Sequence, residues 1–142
     1  MQKNQLSLPS NKELIKRLRN WDADYVVRET ERIKAHGEVF TPTALVKEVI
    51  GKLAIKQFED PTKTFLDNSC GNGQFLSEVL IKKLEQGHDF KLALSTIYGV
   101  DIMTDNVLIC QNRLLCGIEE LRHIVEKNIV CADALTYDYS FK

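Results

Sequence analysis

Three aspartates and two closely spaced glycines stand out in this chain as groups able to hold a ligand. Asp67, Asp101 and Asp133 each follow a short apolar run, in TFLD, STIYGVD and NIVCAD. Gly71 and Gly73 come just after the first of them, in DNSCGNGQFL. A turn alone needs one glycine. Two of them between an extended run and a helical one indicate that something lies against the backbone. A phosphate would want backbone N–H groups and positive charge, and a P-loop carries Lys-Ser/Thr after its glycines. This chain has Gln74-Phe75 there. Three carboxylates repel a pyrophosphate and suit a ligand with hydroxyls, an ammonium group and an amine-bearing ring.

The ligand class can be narrowed from the same residues. An acid after the second strand of a parallel sheet can accept both hydroxyls of a ribose. An acid after the third can accept from the exocyclic amine of an adenine. S-adenosylmethionine offers all these donors, and its sulfonium is positive. A dinucleotide is the competing ligand, and the third glycine of its GxGxxG fingerprint is absent, since the run reads GNGQFL. Taken singly, a GxG is a turn and a strand-end aspartate is a helix cap. Three such acids at three strand ends make a site.

The elements that must position these groups follow from periodicity. A helix is predicted from about Lys12, capped by Ser10 or Asn11 with Glu13 in the first turn, running with Leu14, Leu18, Trp21, Tyr25 and Ile33 to about Ala35. His36-Gly37 reads as its stop. Thr41 and Pro42 read as cap and first residue of a second helix with a stripe of Leu45, Val46, Val49, Ile50 and Leu53. Then come a strand at Thr64–Asp67, a helix at Gln74–Gln86 ended by Gly87, a strand at Ser95–Asp101, a helix through Val107, Leu108, Leu114 and Leu115, a short helix near Glu119–Lys127, and a strand at Ile129–Ala132. Alternating strands and helices predict an α/β fold: a Rossmann-like doubly wound parallel sheet, truncated to about three strands and preceded by two N-terminal helices. Ligands of such sheets bind outside the carboxyl ends of the strands. That rim is where all three aspartates fall.

Composition bounds the rest. The 142 residues fit one domain, read as a helical segment over 1–60 and a βαβαβ core over 61–142. A hydrophobic fraction of 44% supports a core, and a net charge of -1 argues against a dedicated nucleic-acid-binding domain. Lys12, Lys16, Arg17 and Arg19 form a local basic cluster, read as a solvated helix face. No apolar run is long enough to span a bilayer and no signal region opens the chain, so no membrane partner and a cytoplasmic location are expected. Cys70, Cys110, Cys116 and Cys131 form no CxxC pair, which predicts reduced thiols, three of them in the core, and no metal.

With these residues placed, the chain resembles a known family. FLDNSCGNGQFL resembles motif I of the class I S-adenosylmethionine-dependent methyltransferases, in the form used by adenine-specific DNA methyltransferases of restriction-modification type. HGEVFTPTALVKEVI resembles their motif X, IYGVDI their motif II and NIVCADAL their motif III. The resemblance implies S-adenosyl-L-methionine as cofactor. It would place Asp67, Ser69, Gly71 and Gly73 around the methionine portion, with Phe40, Thr41 and Pro42 at the same end. It would set Asp101 on the ribose hydroxyls, Ile102 against the adenine, Asp133 on the adenine amine and Ala134 beside it. Asn68 stands where members often carry proline.

The family's catalytic tetrapeptide, Asn/Asp-Pro-Pro-Tyr/Phe, is absent: the prolines here are Pro9, Pro42 and Pro61. No catalytic residue is therefore assigned. The chain is expected to bind the cofactor without methylating DNA in isolation, with DNA engaged through a completing partner. The alternative is a non-catalytic regulatory or scaffold protein. In the family's full sheet the first strand is central. Thr64–Asp67 would then present an open edge, which predicts a homodimer or a hetero-complex.

Overall fold

The structure, a computed structural model, describes residues 7–21, 43–53 and 55–142. Its first element is helix α1, Asn11–Arg19. Ser10 is the cap: its Oγ accepts the N–H of Glu13 at 3.2 Å, the S-x-x-E arrangement that satisfies an orphan amide of the first turn. Asn11 has a different role, donating from Nδ2 to the carbonyls of Leu84 and His88 at 3.1 and 2.9 Å. Leu14 and Leu18 are buried, worth about 1.5–3 kcal/mol each. The helix ends sooner than periodicity predicts. Asn20 turns out of helical geometry at ψ 18° as the C-cap, and asparagine is a poor helix former whose side chain competes for the backbone. The rest of the predicted helix, the His36-Gly37 stop and the Phe40-Thr41-Pro42 segment lie outside the described residues.

Helix α2 spans Thr43–Gly51 and the short α3 spans Lys56–Glu59. Strand β1 is Phe65–Asp67, helix α4 Gln74–Glu85, helix α5 Phe90–Ser95 and strand β2 Ile97–Asp101. Helix α6 is Thr104–Leu115. A single 3-10 turn at Glu119–Leu121 leads into helix α7, Arg122–Asn128, and strand β3, Ile129–Cys131. Two of these helices were not legible from periodicity. Helix α3 has only one turn, but it carries Phe58, whose ring stacks on Phe65 at 5.2 Å. Helix α5 is capped by Asp89, whose Oδ2 accepts the N–H of Leu92, and it delays β2 from Ser95 to Ile97.

The sheet is open and all parallel, in the order β1-β2-β3. It is the predicted Rossmann-like α/β arrangement. Both crossovers step the same way, so right-handedness places their helices on one face. Helix α4 lies at the centre, with Leu76, Val79 and Leu80 fully buried and with α1, α2 and α6 packed around it. Its Lys83 is also fully buried. The ammonium donates to the carbonyl of Lys63 at 2.7 Å and lies 5.1 Å over the Phe65 ring, and desolvation lowers its pKa. Among the described residues β1 pairs only with β2.

The basic cluster of α1 is an exposed face, as read, and its two arginines reach the protein's own groups. Arg17 donates to the carbonyl of Cys116 at 2.8 Å, and Arg19 lies 3.7 and 3.8 Å from Glu78 and Glu85. Cys70, Cys110 and Cys116 are buried free thiols and Cys131 is exposed. Burial pushes the Cys116 thiol up to about 12. Among the described residues no group of side chains could hold a metal ion, and no helix is long and apolar enough to cross a membrane.

Candidate functional site

A cleft of about 610 Å³ opens at the carboxyl ends of β1 and β2. Five of the predicted residues line it: Asp67, Ser69, Gly71, Asp101 and Ile102. The loop from β1 to α4 forms its floor. Asp67 begins that loop with an Asx turn, its Oδ1 accepting the N–H of Ser69 at 3.0 Å. The Cys70 N–H bonds to the Val100 carbonyl at 2.9 Å and ties the loop to β2.

The two loop glycines have different work. Gly71 has φ +51°, and nothing lies within 4 Å of the place where its side chain would go. Its backbone faces open cleft. Gly73 has φ +88° and is buried at the start of α4. A side chain there would meet Cys110 Sγ at 2.8 Å. Gly73 lets α4 and α6 approach each other, and it does not line the cleft.

Asp101 is the most connected group of the site. Its Oδ1 accepts the N–H of Met103 at 2.8 Å and Asn106 Nδ2 at 3.2 Å, while Oδ2 accepts the N–H of Gly71 at 3.0 Å. One carboxylate thus ties the end of β2, the start of α6 and the glycine loop. Asp67 shares the cleft with it. Burial, foremost, and the charge of Asp101 push the Asp67 carboxyl above its ordinary 3.8, against the lowering effect of the Ser69 N–H. The lining contains these two carboxylates and, among the described residues, no Lys, Arg or His.

Asp133 and Ala134 are placed differently. In the parallel register Asp67 pairs with Gly99, and Asp101 pairs with Cys131. Each strand-end acid therefore stands two residues beyond the previous one, a step of about 6–7 Å along the strand direction. Along the rim the three acids form a staircase. Its third step, Asp133, is exposed and holds the N–H of Leu135 at 2.9 Å, outside the cleft lining.

The cleft also has an apolar wall from Leu45 and Val49 of α2, Leu66 of β1 and Phe75 of α4. The α2 stripe is split. Val46 and Ile50 are buried, while Leu45 and Val49 stay 49% and 45% exposed at the cleft. Periodicity placed all four on one apolar stripe, because it cannot tell core from cleft. Asn106 also lines the site. The sequence carried no signal for it beyond an asparagine five residues after the β2 acid; its burial against Asp101 shows only in the structure.

The charge arrangement makes a test. The expected result for Asp67→Asn is a more stable protein at pH 7, by on the order of 1 kcal/mol, because the amide keeps the Ser69 bond without a desolvated charge. An acid whose folded pKa is raised gives its full stability below its ordinary value and loses it as pH rises through the folded value. The gap between variant and wild type should therefore close as pH falls toward 3.8. Urea unfolding across pH measures it. A variant less stable than wild type at pH 7 would contradict the repulsive reading of the cleft.

Comparison with curated proteins and with solved structures gave no match. A family match covers residues 24–141, nearly all of the fold and every strand-end acid, and carries the description N-6 DNA methylase. The chain, with its parallel sheet, glycine loop and strand-end acids in that family's span, belongs to the N-6 DNA methylase family.

Proposed function

We propose that the cleft binds S-adenosyl-L-methionine and that the chain is the cofactor-holding part of an adenine-specific DNA methyltransferase of restriction-modification type. The observation that carries this is a pair of carboxylates, Asp67 and Asp101, in one cleft whose lining, among the described residues, includes no cation. One of them is held partly protonation-prone by burial and by the other. A ligand bearing positive charge and hydroxyl donors relieves that repulsion, and an anionic ligand increases it. The cleft volume lies in the usual range for cofactor sites, about 300–1,000 Å³.

In this reading Asp67, Ser69 and the Gly71 backbone hold the methionine end, with Phe40, Thr41 and Pro42 beside it. Asp101 takes the ribose and the exposed Ile102 covers the adenine. Asp133 and Ala134, outside the cleft lining, would meet the adenine amine only where the ring extends past Ile102 beyond the cleft mouth. Gly73 serves the site indirectly, by seating α4. The bound cofactor would supply a methyl group on a positively charged sulfur. The acceptor adenine must be extruded from the duplex to reach it. Its orientation falls to a partner or segment carrying the Asn/Asp-Pro-Pro-Tyr/Phe tetrapeptide, which these 142 residues do not contain. The edge of β1 is the proposed contact for that partner or for a second copy of the chain.

Calorimetry with S-adenosylmethionine tests the reading. Heat of binding and a rise in melting temperature are expected. S-adenosylhomocysteine, which lacks the sulfonium charge, should bind more weakly. The purified chain should transfer no labelled methyl to duplex DNA, and sedimentation at micromolar concentration should give a dimer. Neither heat nor thermal shift at millimolar cofactor would leave the scaffold reading in its place.

A further inference from the structure

Asp101 is set by its neighbours before any ligand arrives. A carboxylate oxygen has two lone-pair directions. Oδ1 receives two donors, the Met103 N–H and Asn106 Nδ2, and Oδ2 receives one, the Gly71 N–H. Met103 belongs to the loop after β2, so its amide is placed by the chain itself. Asn106 differs. It is a side chain from the first turn of α6, 6% exposed, and its reach to Oδ1 fixes the rotation of the carboxylate about its own bond.

We propose that Asn106 is a positioning residue that aims Oδ2 of Asp101 at the glycine loop. With Oδ1 filled, the carboxylate can satisfy Gly71 and one further donor. Gly71 is therefore latched to β2 in the ligand-free protein, and a ligand offering a hydroxyl pair gains both bonds only by taking the one Gly71 holds. Occupation of the sugar end of the cleft and the position of the glycine loop are coupled through one side chain. This rests on the reading of the cleft as a cofactor site only for the identity of the ligand. The latch itself is a property of the free protein.

Amide hydrogen exchange followed by NMR on the ligand-free chain tests the latch, using Asn106→Ala and the volume-conserving Asn106→Leu. The Cys70 amide, bonded to the Val100 carbonyl, is the internal reference. In both variants the Gly71 amide should exchange about ten-fold faster, the scale of one lost bond to a charged group, and Cys70 should not change. Unchanged exchange at Gly71 would overturn the proposal. So would equal acceleration at Gly71 and Cys70, or loss of the fold in both variants, since either makes Asn106 merely structural. In the same samples S-adenosylmethionine should bind at least as tightly as to wild type, because the freed Oδ1 direction lets a hydroxyl pair reach the carboxylate without displacing Gly71. If wild type does not bind it, the cofactor reading fails while the exchange result still decides the latch.

Discussion

Replacing Gly73 with valine should lower the melting temperature by about 10–20 °C. Two costs add. At φ +88° a β-branched residue is strained, by about 1–3 kcal/mol. Its Cβ would also lie 2.8 Å from Cys110 Sγ and 3.4 Å from the Cα and Cβ of the same residue. The sulfur is buried between α4 and α6, so it cannot swing away without opening the core. Overpacking of this kind costs about 1–3 kcal/mol. The sum is a large share of the roughly 5–15 kcal/mol that holds a domain of this size together. The conversion to temperature uses the usual few degrees per kcal/mol.

The steric part can be isolated. Gly73→Ala should destabilise less than valine, and Cys110→Ala should recover part of the alanine loss by removing the sulfur. A double-mutant cycle by thermal or urea unfolding measures the coupling. A Gly73→Val protein that melts within a few degrees of wild type would mean that α4 and α6 are not packed as closely as the structure has them. Gly71→Ala is the contrast. It has a similar backbone demand but open space around it, so it should retain most of the stability.

Asp101→Ala should weaken S-adenosylmethionine binding by roughly 1.5–3 kcal/mol, about ten- to a hundred-fold, the scale of charge-assisted hydrogen bonds. The ribose hydroxyls lose their acceptor, and this loss outweighs the gain from no longer having to displace the Gly71 N–H. Asp101→Asn keeps an acceptor oxygen and the side-chain shape, so it should fall between alanine and wild type. Gly71→Val should do at least as much as Asp101→Ala, because its side chain would project into the cleft from a backbone at φ +51°. Calorimetry at a temperature where every variant is folded separates lost affinity from lost stability. Affinity within two-fold of wild type for Asp101→Ala would remove the carboxylate from the site.

Much of the fold and the core of the site was legible in the residues. The strands are short apolar runs, the long helices carry apolar positions at helical spacing, and Gly87 stops α4 where periodicity fails. These are local demands of backbone hydrogen bonding and burial, and they are written in neighbouring residues. The same locality made Asp67 and Asp101 visible as strand-end groups flanking a glycine loop. Short elements were lost for the complementary reason. One turn of α3 and the six residues of α5 are too brief to show a period, and they are held by partners such as Phe65 and the Asp89 cap.

The order of elements, the α/β class and the kind of groups gathered at the strand ends follow from neighbouring residues alone. Which of those groups meet depends on how the elements pack. The two-residue step between neighbouring strands places Asp133 outside the cleft that holds Asp67 and Asp101. The approach of α6 gives Gly73 to packing and leaves Gly71 to the cleft. The turn of α2 leaves Leu45 and Val49 exposed at the cleft wall, sends Ile50 into the core and buries Val46 between the two. Arg17 and Arg19, exposed in a lone helix, become pins between α1 and the body of the protein. Each of these outcomes is set by register and by contacts between residues far apart in sequence, because a side chain's role depends on what fills the other half of its surroundings, and local periodicity carries no information about that half.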